Sequence, residues 1–545
     1  MKKYLLIYLA AIGLVACTEK LDDTSSPVEK GELETSYIAV TLKSDDMGTR
    51  ADSDDYDRGI PEERAVKNAY FFFFKDGQPF VVTDNGSVTS PGGEKNYLKL
   101  DLSGETPDMP NISDIKDKVL VFRNYKGEYP NQIVAVLNWD PKAYIYTLSD
   151  LRRVITSVGN DEKGYVMSNS VYVDAAGQMV DAVVITESNI GKSEDEAKDN
   201  PITVHVERVG AKVVLTTGRS DNLYPVGKTL QGKEVYAKIL NWELYNDHET
   251  SYLLKNIDGY NDWTGDEFGF SQWNDYNWFR SYWANSLYLT TPFPNNSFSW
   301  NDDVKNQAPG EDSRIYCGEN TKQVDDRNYT NPIDIRTKVI VKARLVEADG
   351  VTPVEGSNWY GHDYLGEEGL LEQVANSLKI SYYYSEDGGV TFIGMKPEYI
   401  KCVARNPEDE NAYEVYFQLN DDPMHDATAK TWYKYVDGQY VKFDDISLLN
   451  DELTSVQPGL VYKSGMTYYY TDIKHLGKPD TATEFGVVRN HVYKVKITSI
   501  SGYGTPYYDG DIKYVEPAKP KDIVTFVAAQ IYILSWRVVS DGYDV

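Results

Sequence analysis

The final stretch of the chain constrains its fold more than any other. From Asp522 to Val545 it reads DIVTFVAAQIYILSWRVVSDGYDV, dense in β-branched and aromatic residues with a single Arg. Taken at alternate positions, one face carries Phe526, Tyr532, Leu534, Trp536 and Val538. The other carries Val527, Ile531, Ile533 and Val539. Apolar residues on both faces predict a strand, or two, buried on both sides. Ahead of it lie Gly502, Gly504, Pro506, Pro517 and Pro520 with charges between them, a stretch that reads as unable to build a core. A strand on such a leash is suited to reach either its own domain or a neighbouring molecule.

A chain of 545 residues exceeds what one core usually supports, which predicts two domains. Hydrophobic residues at 41% suffice to pack them, and 44 Tyr with 40 Gly favour β-structure and turns. The net charge of −29 disfavours nucleic acid and anionic membrane surfaces as partners and fits an acidic, solvated exterior.

The N-terminus reads as a signal segment: Lys2 and Lys3 precede a short apolar core, Tyr4 to Ala11. That core ends at Leu14-Val15-Ala16-Cys17, which resembles a bacterial lipobox and would make Cys17 the lipidated first residue of the exported chain. Glu19, Asp22 and Asp23 follow, resembling the surface-export signals of Bacteroidetes lipoproteins. Cys317 and Cys402 remain, either paired or as two free thiols.

After a polar tether, Ser36 to Leu42 alternates, with Ile38, Val40 and Leu42 on one strongly apolar face. Residues 44–55 are polar and charged, a tip of the kind proteases cut, and Arg50 offers a trypsin-like site before Ala51. Val66 to Phe74 predicts a strand entering a hairpin at Asp76-Gly77. Thr147 to Val158 predicts a short helix capped by Thr147 or Ser149. Ile202 to Leu215 predicts two strands, or one bulged at Gly210. The Gly- and Pro-bearing residues 218–232 mark the expected boundary, giving domains 51–222 and 223–505 followed by a linker and terminal strand, 506–545.

Several segments resemble one family. Ile315 to Thr321 (IYCGENT), Tyr468 to Gly477 (YYYTDIKHLG), Gly486 to Val495 (GVVRNHVYKV) and Val206 to Val209 (VERV) look like the fimbrillins of Bacteroidales, the Mfa-like subunits of type V pili. The lipobox, the Arg after an N-terminal strand and Trp536 in the terminal strand fit the same pattern. The resemblance implies two β-sandwich domains of transthyretin-like topology with few helices and an extended C-terminal donor strand. It implies export as an outer-membrane lipoprotein, cleavage after Arg50 by a trypsin-like protease with release of residues 18–50, and polymerisation with identical subunits. Anchor and tip subunits would be further partners. The donor strand would present Val527, Ile531, Ile533, Leu534, Trp536 and Val538 to a neighbour's groove. A strand lost from a sheet leaves two rows of unpaired backbone groups, which an incoming strand satisfies. Arg58 and Arg64 also lie before the first inner strand and are alternative cleavage points.

Motifs for catalysis are missing: there is no HExxH, CxxC, P-loop or GxSxG. No catalytic residue, metal ligand or cofactor is expected. The rival reading is a glycan-binding surface lipoprotein using the aromatic stretch 263–300, with an anchor or tip subunit as a further alternative.

Overall fold

The computed structural model describes residues 33–44, 56–57, 59–84, 95–100, 102, 115, 118–160, 162–173, 179–228, 232–247, 249–258, 283–287, 307–321, 324–325, 333–334, 336–404, 413–475, 484–506 and 526–536. Cys17, Arg50, Ala51, Arg58 and most of 263–300 lie outside them. The described residues are mainly β, with five short α-helices.

The first domain is built on one ten-stranded sheet. Its strand Ala69–Lys75 turns at Asp76 and Gly77, whose φ of 52° and 75° match the twist of a two-residue hairpin. Phe73 meets Phe122, on the strand Lys118–Tyr125, at 5.3 Å between ring centroids. Four strands separate these two in the sheet order. Flat, they would stand about 24 Å apart. The sheet therefore curls on itself and closes a core of Ile38, Phe71, Phe73, Phe122, Ile133 and Val204. Phe72 and Phe74 pack on the opposite face with Trp139, Tyr146 and Leu151. That face is covered by the helix Leu148–Arg153, capped by the Thr147 hydroxyl, which accepts from the Asp150 amide at 3.0 Å.

The long alternation 202–215 divides at Val209. Ile202–Arg208 pairs in the first sheet, whereas Gly210–Thr217 pairs with Arg314–Gly318 and His491–Ser501. Strand pairing thus changes sheet at Val209, upstream of the border expected at 222. Much of the Gly- and Pro-bearing stretch instead serves the second domain, linking Gly210–Thr217 to the strand Leu223–Lys228. Turn residues punctuate strands as readily as domains, so composition alone does not separate the two.

The second domain is a sandwich of two five-stranded sheets. Val213, Leu215, Tyr493 and Val495 from one sheet meet Val235, Trp242, Val341 and Tyr469 from the other. The range 223–505, expected to be one sandwich, also contains a separate module. Lys338–Val346 pairs directly with Met466–Asp472, and between them residues 356–462 build two further sheets, of five and four strands, with their own core. That core gathers Leu370, Val374, Phe417, Trp432, Leu449 and Leu453, with the helices Gly366–Leu378 and Ile446–Thr454.

Residues 502–506 are packed rather than free. Tyr503 is buried in the second core and Thr505–Pro506 pairs with Thr467 and Tyr468. Gly504 has φ +77°, and a Cβ there would stand 2.5 Å from Thr467 Oγ1 and 2.7 Å from the Tyr468 carbonyl. Gly502-x-Gly504 is therefore a close approach of backbones. Gly504→Ala is expected to cost about 1–3 kcal/mol in urea unfolding, from an unfavourable φ together with overpacking.

Candidate assembly interface

Both ends of the described chain complete sheets. The N-terminal strand Leu33–Ser44 is interior to the first sheet. Its first part runs antiparallel to Lys118–Tyr125, from Leu33 opposite Tyr125 to Val40 opposite Lys118. Its last part runs parallel to Ile202–Arg208, from Val40 opposite Ile202 to Ser44 opposite Val206. Ile38, Val40 and Leu42 enter the core as their alternation predicts. Polar anchors hold the entry: the Ser36 hydroxyl donates to Asn124 Oδ1 at 2.7 Å, and the Tyr129 hydroxyl donates to Glu34 at 2.8 Å. The Tyr129 bond, with the Gly127 amide, holds the Glu34 carboxyl below its ordinary pKa.

The C-terminal strand Phe526–Trp536 lies on the second domain of its own chain. It pairs antiparallel with His491–Ser501, from His491 opposite Ser535 to Ser501 opposite Phe526. The expectation that Ile523 to Val539 occupies a neighbour differs from this arrangement. In a single chain, the open edge of His491–Ser501 is the ladder within reach. On its far side the C-terminal strand is met by Tyr56–Asp57, parallel, with Tyr56 opposite Ser535 and Asp57 opposite Trp536.

Between these ends the family-like segments converge on a buried polar junction. Glu63, in the short helix Pro61–Arg64, is fully buried. Its carboxylate accepts from Lys212 Nζ at 3.2 Å and from the Tyr316 hydroxyl. Its carbonyl accepts from Arg208 Nε and Nη2 at 3.0 and 2.6 Å. Burial, then the Glu63 charge, drives the Tyr316 phenol far above its usual range. Arg208 and Lys212 flank Val209, so the domain border is clamped by the segment preceding the first inner strand. This geometry puts Arg64 inside a helix whose neighbouring residue is the anchor.

A second centre pairs Arg489 with Glu319 at 3.3 Å, both fully buried. Arg489 Nη2 also donates to the Tyr252 carbonyl at 2.8 Å and to Ser251 Oγ at 3.2 Å. Asn490, in left-handed backbone at φ 57°, donates its amide to the Gly210 carbonyl at 2.7 Å. Asn320 and Val487 exchange backbone hydrogen bonds of 2.8 Å. His475 Nδ1 lies 3.0 Å from the Tyr493 hydroxyl, and burial drives the imidazole pKa down to about 3. The segments singled out in the sequence are thus one network. The sequence named Arg489 and His475 without partners, and Glu63 and Lys212 were missed. A charged residue beside Pro61 carries no local mark of burial.

Trp283, from the aromatic stretch, is buried and its ring centre lies 5.5 Å from that of His475. Cys317 and Cys402 are both free, the first in the second sandwich and the second in the inserted module. Burial pushes both thiols up. Among the described residues no helix is long and apolar enough to cross a membrane.

These features define a β-sandwich protein whose two terminal strands each complete a sheet. Residues 460–541 match the family described as major fimbrial subunit protein type IV, fimbrillin, C-terminal. Over this C-terminal range the chain is accordingly similar to the fimbrillins. The matched range covers Arg489 and His475, the strand His491–Ser501 and the C-terminal strand. Solved structures with similarity include a fimbrilin from Porphyromonas gingivalis W83 (13% identity, TM-score 0.36, covering 92% of this chain and 98% of that one). Another is the C-terminally truncated tip fimbrial protein Mfa3 from Porphyromonas gingivalis (12%, 0.33, 92% and 100%). A third is a fimbrial assembly protein from Parabacteroides distasonis ATCC 8503 (12%, 0.26, 76% and 100%). No curated protein matches the chain.

Proposed function

We propose that the chain is a stalk subunit of a surface fimbrium used in adhesion. It is exported as an outer-membrane lipoprotein through Cys17, cut after Arg50, and polymerised by donation of its C-terminal strand. The observation that carries this reading is the interior position of Leu33–Ser44. Lost from there, the strand uncovers backbone on Lys118–Tyr125 and Ile202–Arg208 and empties the sites of Ile38, Val40 and Leu42. A slot of that kind is recognised by another strand. The C-terminal strand spans Phe526–Trp536, comparable in length to Leu33–Ser44, and follows a linker that begins after Pro506. About twenty linker residues reach roughly 60–70 Å when extended. Identical subunits are then the main partner, with anchor and tip subunits at the filament ends and a trypsin-like protease as trigger. The reading involves no catalytic chemistry.

Deletion of residues 523–545 tests it. The truncated chain is expected to be exported and cut yet to form no filaments by electron microscopy. Normal filaments from that truncation would refute strand donation. Arg50→Ala is expected to leave the chain monomeric and lipid-bound, and Cys17→Ala to abolish metabolic lipid labelling.

A further inference from the structure

We propose that Tyr56–Asp57 is a latch that keeps the C-terminal strand on its own domain until the chain is cut upstream. The inference rests on the strand-donation reading above and adds a control step to it.

Three observations carry it. The latch residues pair with Ser535 and Trp536, the last two positions of the C-terminal strand. The opposite end of that strand continues into the linker, so transfer to another molecule begins most readily at the Trp536 end. That is the end held on both sides, by Tyr56–Asp57 and by His491–Val492. The latch is also tethered at both of its own ends. Downstream, Glu63 is fixed at the domain border by Lys212, Tyr316 and Arg208. Upstream, the chain enters the strand Leu33–Ser44, itself locked inside the first sheet.

A two-residue strand makes too few hydrogen bonds to persist alone. It stays because its tethers hold it at high effective concentration beside Ser535 and Trp536. A cut after Arg50 removes the upstream tether and leaves the Glu63 anchor untouched. The segment then becomes a chain end, and chain ends fray. One cleavage would thus free the donor end as well as the slot, so that uncut chains neither accept nor donate.

Hydrogen exchange of the full chain tests this. In the uncut chain the amides near Ser535 should be protected. Limited trypsin cleavage at Arg50 should speed their exchange by about tenfold or more, as for local opening. The uncut double variant Tyr56→Pro, Asp57→Pro should show the same gain, because proline cannot donate to a ladder. A stapled chain, Asp57→Cys with Trp536→Cys, guards against misfolding of the proline variant. Oxidised, it should stay protected after cutting and release on reduction. Protection unchanged by cutting, by proline and by reduction of the staple would overturn the latch. Filaments forming despite unchanged protection would refute the latch and leave strand donation standing. A cut chain that exposes the strand but never assembles would refute strand donation and leave the latch standing.

Discussion

A chain beginning at Ala51 is expected to melt its first domain at least about 10 °C below the chain that retains Leu33–Ser44. The loss begins with Ile38, Val40 and Leu42, at 0%, 0% and 3% exposure. Burial of such side chains contributes about 1.5–3 kcal/mol each, so their removal costs roughly 5–9 kcal/mol before any hydrogen bond is counted. That is comparable to the entire stability of an ordinary domain, about 5–15 kcal/mol. At about 2–4 °C per kcal/mol for a domain of this size, even the low end moves the transition by 10 °C. The second domain keeps its own cores and should shift far less. Calorimetry will separate the two transitions, and a synthetic peptide of residues 523–545 should restore the first if it fills the vacated slot. An unshifted first transition would show that Leu33–Ser44 is dispensable to the sheet, and the slot would have no basis.

The parts of this interface differ in how readily the sequence reveals them, and the difference is physical. Ile38, Val40 and Leu42 are legible because a half-buried strand repeats every two residues whatever it packs against. The hairpin at Asp76-Gly77 is legible because its positive φ values select those residue types. The domain border is not, because the phase shift from Ile202, Val204 and Val206 to Val209, Ala211 and Val213 fits a bulge within one strand as well as a break between two. The inserted module 356–462 is hidden in the same way. Its strands 414–419 and 431–436 look like any others, and only long-range pairing assigns them to separate sheets. Strand donation faces the same obstacle: a two-faced apolar strand fits its own domain and a neighbour's equally well, and its pattern does not rank them. The clamp at Glu63 is hidden for another reason. Its partners lie 149 and 253 positions away in the sequence, and a lone glutamate is ordinarily a surface residue.

Arg489→Met is expected to destabilise the second domain by about 3–5 kcal/mol, because it leaves Glu319 charged and unpaired in a fully buried site. The guanidinium donates to the Tyr252 and Leu253 carbonyls and to Ser251 Oγ, and these acceptors would also lose a partner. Ser251 and Tyr252 belong to the short strand Thr250–Tyr252, which pairs with Ile155–Ser157, and Leu253 packs with the outer core of the first domain. The loss should therefore also loosen the junction between domains. Removing both charges, Arg489→Met with Glu319→Leu, should recover much of the deficit, since apolar replacements of a buried pair are often neutral. Urea unfolding of the two variants beside the parent chain measures each term. If the single substitution costs under about 1 kcal/mol, the pair is not desolvated as its geometry indicates. If the double variant is no better than the single, the cost lies in the carbonyls rather than in the stranded carboxylate. The family-like run Val488-Arg489-Asn490-His491 would then owe its residue types to backbone recognition across the junction, with Arg489 acting chiefly as a multiple donor.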